Sequence, residues 1–276
     1  MKKTALVVIF LFVSTMNVVA DPPDAAYIAR LLYAADERAD CYPDILRINP
    51  GLDEPLLYQV QRHYIELRRA GGDEIGGYKG GFIPKGSIGA ALWQRGIRHG
   101  DAVVDTKDFR NLLVEAEIGF RLCATLTERL PDVAALKAAT CEVFPAIELP
   151  DAAFDDLAGL RADFPRLRRL LIPTNMGAAG VLIGQPLSPH GIDLDRLDVR
   201  VEHDGKQIGF RDGAQANDDI WSRVLWTINE YVIARGYDIT PAHIIIPGAL
   251  TGLHPGSPGR YTVSYGALGT VSFEIR

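Results

Sequence analysis

The stretch Val114–Leu122, VEAEIGFRL, constrains the fold of this chain more than any other. Val114, Ala116, Ile118, Phe120 and Leu122 alternate with Glu115, Glu117, Gly119 and Arg121, and side chains two apart on a strand share a face. The apolar face needs a core to lie against, so a sheet must form around this segment. The other face presents two carboxylates whose backbones stand about 6.6 Å apart, two steps of about 3.3 Å. Such a pair can lean on one hard divalent cation. Equally, Glu-x-Glu-x-Arg is what the solvated face of a strand looks like. Glu148, between Ile147 and Leu149 and just before the breaker Pro150, adds a third acid at the end of a second apolar segment.

VEAEIGF and PAIELPD stand in order with GYKGGF upstream, TNMGAAGVLIG downstream, and the closing IIIPGAL and GALGTVSFEI. Together they resemble the 2-keto-4-pentenoate hydratase / 4-oxalocrotonate decarboxylase family of the fumarylacetoacetate hydrolase-like superfamily. The resemblance runs from about Asp53 to the C-terminus. It implies an α+β fold, a mixed β-sandwich or roll with helices packed outside, assembled into homo-oligomers. It also implies Mg²⁺ or Mn²⁺ held by Glu115, Glu117 and Glu148, with a short 2-oxo acid chelated through its carboxylate and 2-oxo oxygens, which makes the adjacent C–H acidic. Lys79 matches the family's pocket lysine and is the expected catalytic and substrate-positioning group, with Gly80, Asn175 and Gly248 at the substrate. The implied reaction is a hydratase's addition of water to a 2-hydroxydienoic acid. A decarboxylase, a C–C hydrolase and a non-catalytic secreted 2-oxo-acid-binding protein are the alternatives.

Three departures from the family pattern bear on that choice. The segment after the lysine, FIPKGSIGAALW, is short and carries Lys85 and Ser87 but no acid. Thr174-Asn175-Met176-Gly177 replaces the usual Asp-Asn-Ala-Ser and keeps only Asn175. Asn217-Asp218-Asp219 replaces a Gly-x-Pro before the late helix.

The composition excludes other classes. With 276 residues, 47% hydrophobic and 23% charged, the chain suits one large globular domain. A net charge of -6 argues against a nucleic-acid partner, and the one dense basic run, Arg166, Arg168 and Arg169, reads as a solvated helix face. The six histidines include no pair at metal-ligand spacing, and no G-x-S-x-G occurs. Lys2 and Lys3, the apolar run Ala5–Val13 and Val18-Val19-Ala20 have the form of a cleavable signal peptide over residues 1–20. The expected mature domain, 21–276, has a helical part to residue 75 and a β-rich part after it, is periplasmic or secreted, and contains no membrane span. Cys41, Cys123 and Cys141 allow one disulfide or none in that compartment; Cys123 and Cys141 flank the link between the two acidic segments.

Along the chain, Asp24 and Asp53 are helix caps, the second with Pro55 in its first turn and a stripe of Leu56, Leu57, Val60, Tyr64 and Leu67. GGDEIGGYKGGF reads as a glycine-rich loop around Lys79. A short helix over Pro131–Thr140 precedes a strand over Glu142–Leu149, and Leu171–Gly184 reads as extended chain with turns at Gly177 and Gly180. Asp204-Gly205 marks a hairpin. A helix runs from a cap at Asp218 to Gly236, and His243–Ile246, Tyr261–Tyr265 and Thr270–Ile275 close the fold as strands.

Overall fold

A computed structural model describes residues 24–82, 86–216 and 219–276. The expected signal peptide, Lys85 and the expected cap at Asp218 lie outside the described residues.

The helices are α1 (Ala25–Glu37), α2 (Ile45–Ile48), α3 (Glu54–Ala70), α4 (Val133–Ala139), α5 (Leu157–Ala162), α6 (Phe164–Leu171) and α7 (Ile220–Trp226). The helix α3 begins where its cap predicts: the Asp53 carboxylate accepts from the Leu56 N–H and Pro55 sits in the first turn. Its buried face is turned from the expected stripe and includes Gln61 and Arg68 beside Leu57, Val60 and Tyr64. Both polar groups are satisfied there, which is what makes them tolerable. Gln61 donates to the carbonyls of Gly89 and Ile172, both at 2.9 Å, and accepts from the Tyr231 hydroxyl.

The strands are β1 (Ile75–Gly81), β2 (Ile88–Trp93), β3 (Ile97–His99), β4 (Val103–Val104), β5 (Leu113–Leu122), β6 (Thr140–Leu149), β7 (Gly180–Ile183), β8 (Val199–His203), β9 (Lys206–Arg211), β10 (Ile244–Ile246), β11 (Leu253–Pro255), β12 (Gly259–Ser264) and β13 (Thr270–Ile275). A curled mixed sheet runs β2-β1-β10-β5-β6-β7-β3, with β11 also on β5; a second sheet runs β4-β13-β12-β8-β9. The architecture is α+β, as expected. The hairpin β8–β9 turns at Asp204-Gly205, both with positive φ, the backbone a primed turn requires.

Four readings of local sequence are corrected. Most of GGDEIGGYKGGF, Ile75–Gly81, is the strand β1 and not a loop. Its glycines serve close packing: a Cβ at Gly77 would collide with the Ile244 carbonyl and one at Gly80 with the Thr227 hydroxyl. Gly180 opens β7 instead of making a turn, while Gly177 does take a positive φ. The late helix is capped by Asp219 and is continued by a π-helical turn over Thr227–Val232 before the left-handed stop at Gly236. Finally, the α6 arginines are not merely solvated. Arg166 pairs with Asp44, Arg168 with Glu54 at 2.6 Å, and Arg169 donates to the Pro50 and Leu52 carbonyls, tying α6 to the N-terminal segment.

The main core, which includes Val114, Ala116, Ile118 and Phe120, joins residues of α1 and α3 to those of both sheets. A smaller core of Leu92, Phe144, Ala146, Val181, Ile183, Ile244 and Ile246 lies apart from it. Fully burying each large side chain of this kind contributes about 1.5–3 kcal/mol, so the sheet is held from both faces. β5 therefore has no solvated side at its centre.

Candidate metal centre and substrate cavity

Antiparallel pairing of β5 with β6 places Glu115 directly opposite Glu148 and Glu117 opposite Ala146. Paired residues and residues two apart share a face, so all three carboxylates project together, next to Phe144 and Ala146 of the smaller core. One ligand oxygen from each lies within 4.8 Å of the others. The reading of this face as solvated fails: Glu117 and Glu148 are 0% exposed.

Neighbouring elements fix these acids. β10 and β11 share one edge of β5, pairing at Phe120 and at Leu113–Glu115. The chain between them crosses the gap, and there the Gly248 N–H donates to Glu117 Oε2 at 2.6 Å. From β1, Lys79 makes an ion pair with Glu148 Oε1 and is itself buried. Glu117 Oε1 and Glu148 Oε2 are buried without any hydrogen-bond partner.

Burial first, and then the charge of Glu148, push Glu115 up to about 7, against the pull of Lys79. Glu117 is raised well above the ordinary carboxylate range by burial and by the other two acids. Burial works against the charge of Lys79, but Glu148, Glu115 and Glu117 outweigh it and raise its pKa. Three carboxylates around one ammonium leave an excess of negative charge and two unpartnered oxygens. A hard divalent cation fits that donor set, since oxygen ligands of this kind are what Mg²⁺ takes.

Beside this floor opens a cavity of about 290 Å³. Lys79, Gly80, Glu115 and Gly248 line its polar part, and Phe82, Phe164, Leu167, Met176 and Leu253 are among its apolar walls. Arg223, from α7, also lines it. Among the described residues, larger grooves elsewhere, including one of about 650 Å³ beside Asp36 and Arg68, hold no comparable cluster of acids.

No family model matches the chain. In sequence it is 26% identical over 230 residues to the 2-oxo-hept-4-ene-1,7-dioate hydratase of Escherichia coli, covering 78% of this chain and 84% of that protein. In structure it matches 4-oxalocrotonate decarboxylase from Pseudomonas putida G7, solved with magnesium and adipate. The TM-score there is 0.80 at 22% identity, over 91% of this chain and 97% of that one. The chain has the fumarylacetoacetate hydrolase-like fold. A fumarylacetoacetate hydrolase family protein of Yersinia pestis CO92 matches more distantly, with a TM-score of 0.56 at 14% identity over 74% of this chain and 94% of that one.

Within this superfamily fold, six of the residues singled out in the sequence converge: Glu115, Glu117 and Glu148 form the cluster, and Lys79, Gly80 and Gly248 surround it. Asn175 stands apart. Its side chain accepts from the Ala91 N–H at 2.9 Å and donates to the Ala91 carbonyl at 2.8 Å, so its amide braces β2, and Met176 reaches the cavity in its place. The sequence reading missed Arg223, Met176 and the α6 wall. For Arg223 a signal existed, because it lies three residues after the buried Ile220, at the margin of the helix's apolar stripe. The α6 wall gave none, since its apolar residues read as ordinary core. Cys123 and Cys141 form a disulfide that closes the far end of the β5–β6 pair, and Cys41 is a free thiol.

Proposed function

We propose that the chain is a divalent-metal-dependent lyase acting on a short 2-oxo or 2-hydroxydienoic acid, most plainly by hydratase-type addition of water. The observation that carries this reading is the pair of buried oxygens, Glu117 Oε1 and Glu148 Oε2, that have no hydrogen-bond partner among the described residues. Glu115, Glu117 and Glu148 would hold Mg²⁺ or Mn²⁺, and the ion would supply Lewis acidity toward a substrate's carboxylate and 2-oxo oxygens. Lys79 keeps its charge, holds the substrate carboxylate and is the group placed to pass a proton. The Gly248 N–H fixes Glu117 in position, and the apolar walls keep bulk water from the floor.

The test is loss of dienoate absorbance with 2-hydroxypenta-2,4-dienoate and Mg²⁺, run beside Lys79→Ala. Turnover that needs both the ion and Lys79 is expected. Decarboxylation is the second reading, favoured by the extent of the match to 4-oxalocrotonate decarboxylase; release of CO₂ from a 2-oxo diacid without hydration would establish it instead. Metal-dependent oxalate binding with no turnover of any 2-oxo acid would leave a binding protein, a reading favoured by the missing acid in FIPKGSIGAALW.

We also propose that residues 1–20 are removed on export and that the mature chain self-associates. The basic and apolar pattern of Met1–Ala20 and the exposed Cys123–Cys141 bond support the first. Exposed Ile208 and Phe210 on the edge strand β9 support the second. Mass spectrometry of periplasmic protein should find an N-terminus near Asp21, and light scattering should find more than one chain per particle.

A further inference from the structure

We propose that Met176 is a specificity-determining residue that limits the length of the substrate's carbon chain, so that the site takes 2-oxo acids with a short tail and rejects longer ones. This inference rests on the metal-dependent 2-oxo-acid reading of the floor. It goes further by naming the side chain against which the tail ends.

Met176 holds a backbone conformation that its own chemistry does not favour. Asn175, Met176 and Gly177 are three consecutive residues with positive φ, at 51°, 52° and 61°. In that left-handed region a Cβ crowds the following carbonyl; glycine escapes the crowding and asparagine tolerates it, but methionine gains nothing there. The turn persists because its neighbours hold it. The Asn175 amide bonds both backbone groups of Ala91, at 2.9 and 2.8 Å. The Gly177 carbonyl accepts from the Asp151 N–H at 2.9 Å, and a Cβ at Gly177 would collide with the Asp151 carbonyl. Ala91 pairs with Tyr78, the residue before Lys79, and Asp151 follows Glu148 by three positions. The turn is therefore fastened to β2 alongside Lys79 and to the chain leaving β6 just after Glu148.

Backbone strain held by its surroundings in this way is characteristic of ligand sites, and here it places one side chain. Met176 lines the cavity, and its methyl lies over Gly81: a Cβ there would meet Met176 Cε at 2.6 Å. Gly81 and Lys79 are two apart on β1 and share a face, with backbones roughly 6.6 Å apart at about 3.3 Å per step. A tail that extends from Lys79 along β1 thus meets the Met176 thioether within two strand steps. Ile88, which pairs with Gly81, and Phe82 add apolar surface at the same end. Methionine suits this place because its unbranched, polarisable side chain adapts to the chain it meets.

The experiment is calorimetric titration of oxalate, 2-oxobutanoate, 2-oxopentanoate, 2-oxohexanoate and 2-oxooctanoate into full-length mature protein with saturating Mg²⁺, for wild type, Met176→Ala and Met176→Leu. Oxalate has no tail to reach Met176, so it serves as the floor's reference in each protein and every affinity is taken relative to it. In wild type, affinity should rise about fourfold per added methylene and then stop rising before 2-oxooctanoate. In Met176→Ala the rise should continue, so that 2-oxooctanoate binds at least about tenfold more tightly than it binds wild type, from two methylenes at about fourfold each. Met176→Leu, close in volume, should keep the wild-type limit. A wild type with no limit through 2-oxooctanoate, or a Met176→Ala variant with the wild-type limit, overturns the role of Met176 and leaves the floor reading standing. Should Met176→Ala fail to bind oxalate, Met176→Phe carries the test in the opposite direction: its bulkier ring should move the limit to a shorter acid, and an unmoved limit overturns the role. Failure of oxalate to bind wild type with Mg²⁺ overturns the floor reading, and this inference with it.

Discussion

Two clusters of buried and half-buried acids in this molecule are built to opposite ends. Around Asp36, three carboxylates meet three guanidinium groups. Asp36 accepts from Arg68, from Arg110 at 3.0 Å and from the Tyr64 hydroxyl at 2.9 Å; Asp73 is held by Arg68 and by Arg95 at 2.8 Å; Asp151 is held by Arg110 at 2.7 Å. Around Glu148, three carboxylates meet one lysine, and two oxygens have no partner. The first cluster joins α1, α3 and the segment after β6 and is complete. The second is incomplete within the chain, because a folded protein leaves buried charge uncompensated only where something else compensates it. Burial of acids is common to both, so burial alone marks no site; the imbalance does.

The comparison breaks most readily at Arg68. Replacing it with Met leaves Asp36 and Asp73 buried with fewer partners, and urea unfolding should show a loss of about 3–5 kcal/mol. A loss below about 1 kcal/mol would show that the Asp36 cluster is no more complete than the other.

Next in size is the response to pH. In metal-free protein Glu115 titrates near 7 in the fold, against an ordinary value of 4.5. Its raised value means that its contribution to stability is fully present below about 4.5 and is lost as pH rises through about 7. Thermal unfolding in EDTA should therefore lose on the order of 2 kcal/mol across that window. Mg²⁺ should restore it, since the ion favours the charged carboxylates. A metal-free protein that instead gains stability over this range would contradict the imbalance.

Glu117→Gln separates the clusters by sign. Replacing a buried acid that its neighbours repel with a neutral amide should stabilise metal-free protein by about 1 kcal/mol while lowering Mg²⁺ affinity at least about tenfold, both readable by calorimetry. Unchanged Mg²⁺ affinity would remove Glu117 from the metal site.

The smallest effect is expected where charge is paired in the open. Arg129 and Glu230 are exposed and bonded at 2.7 Å, and a double-mutant cycle on them should give less than about 1 kcal/mol. A larger coupling would mean that pairing geometry, not burial, sets the scale in this protein.

The alternation in VEAEIGFRL was enough to place a strand, its apolar face and two carboxylates on the opposite face, because a period of two follows from backbone geometry alone. Helix caps at Asp24 and Asp53 and the Asp204-Gly205 turn were equally local and equally legible. The sequence could not say whether the acidic face met water or protein, since that depends on a smaller core assembled from β2, β6, β7 and β10. Nor could it distinguish glycines that form a loop from glycines that admit a neighbouring strand and helix, as at Gly77 and Gly80. Asn175 was drawn to the site by motif alone, and only the fold revealed that Ala91 occupies its amide. What determines these outcomes is contact between segments far apart in the chain. Glu115 and Glu148 become a pair through strand register, Gly248 reaches Glu117 through a gap between two short strands, and Arg223 enters the cavity on a late helix, so tertiary structure alone decided which charges stand together.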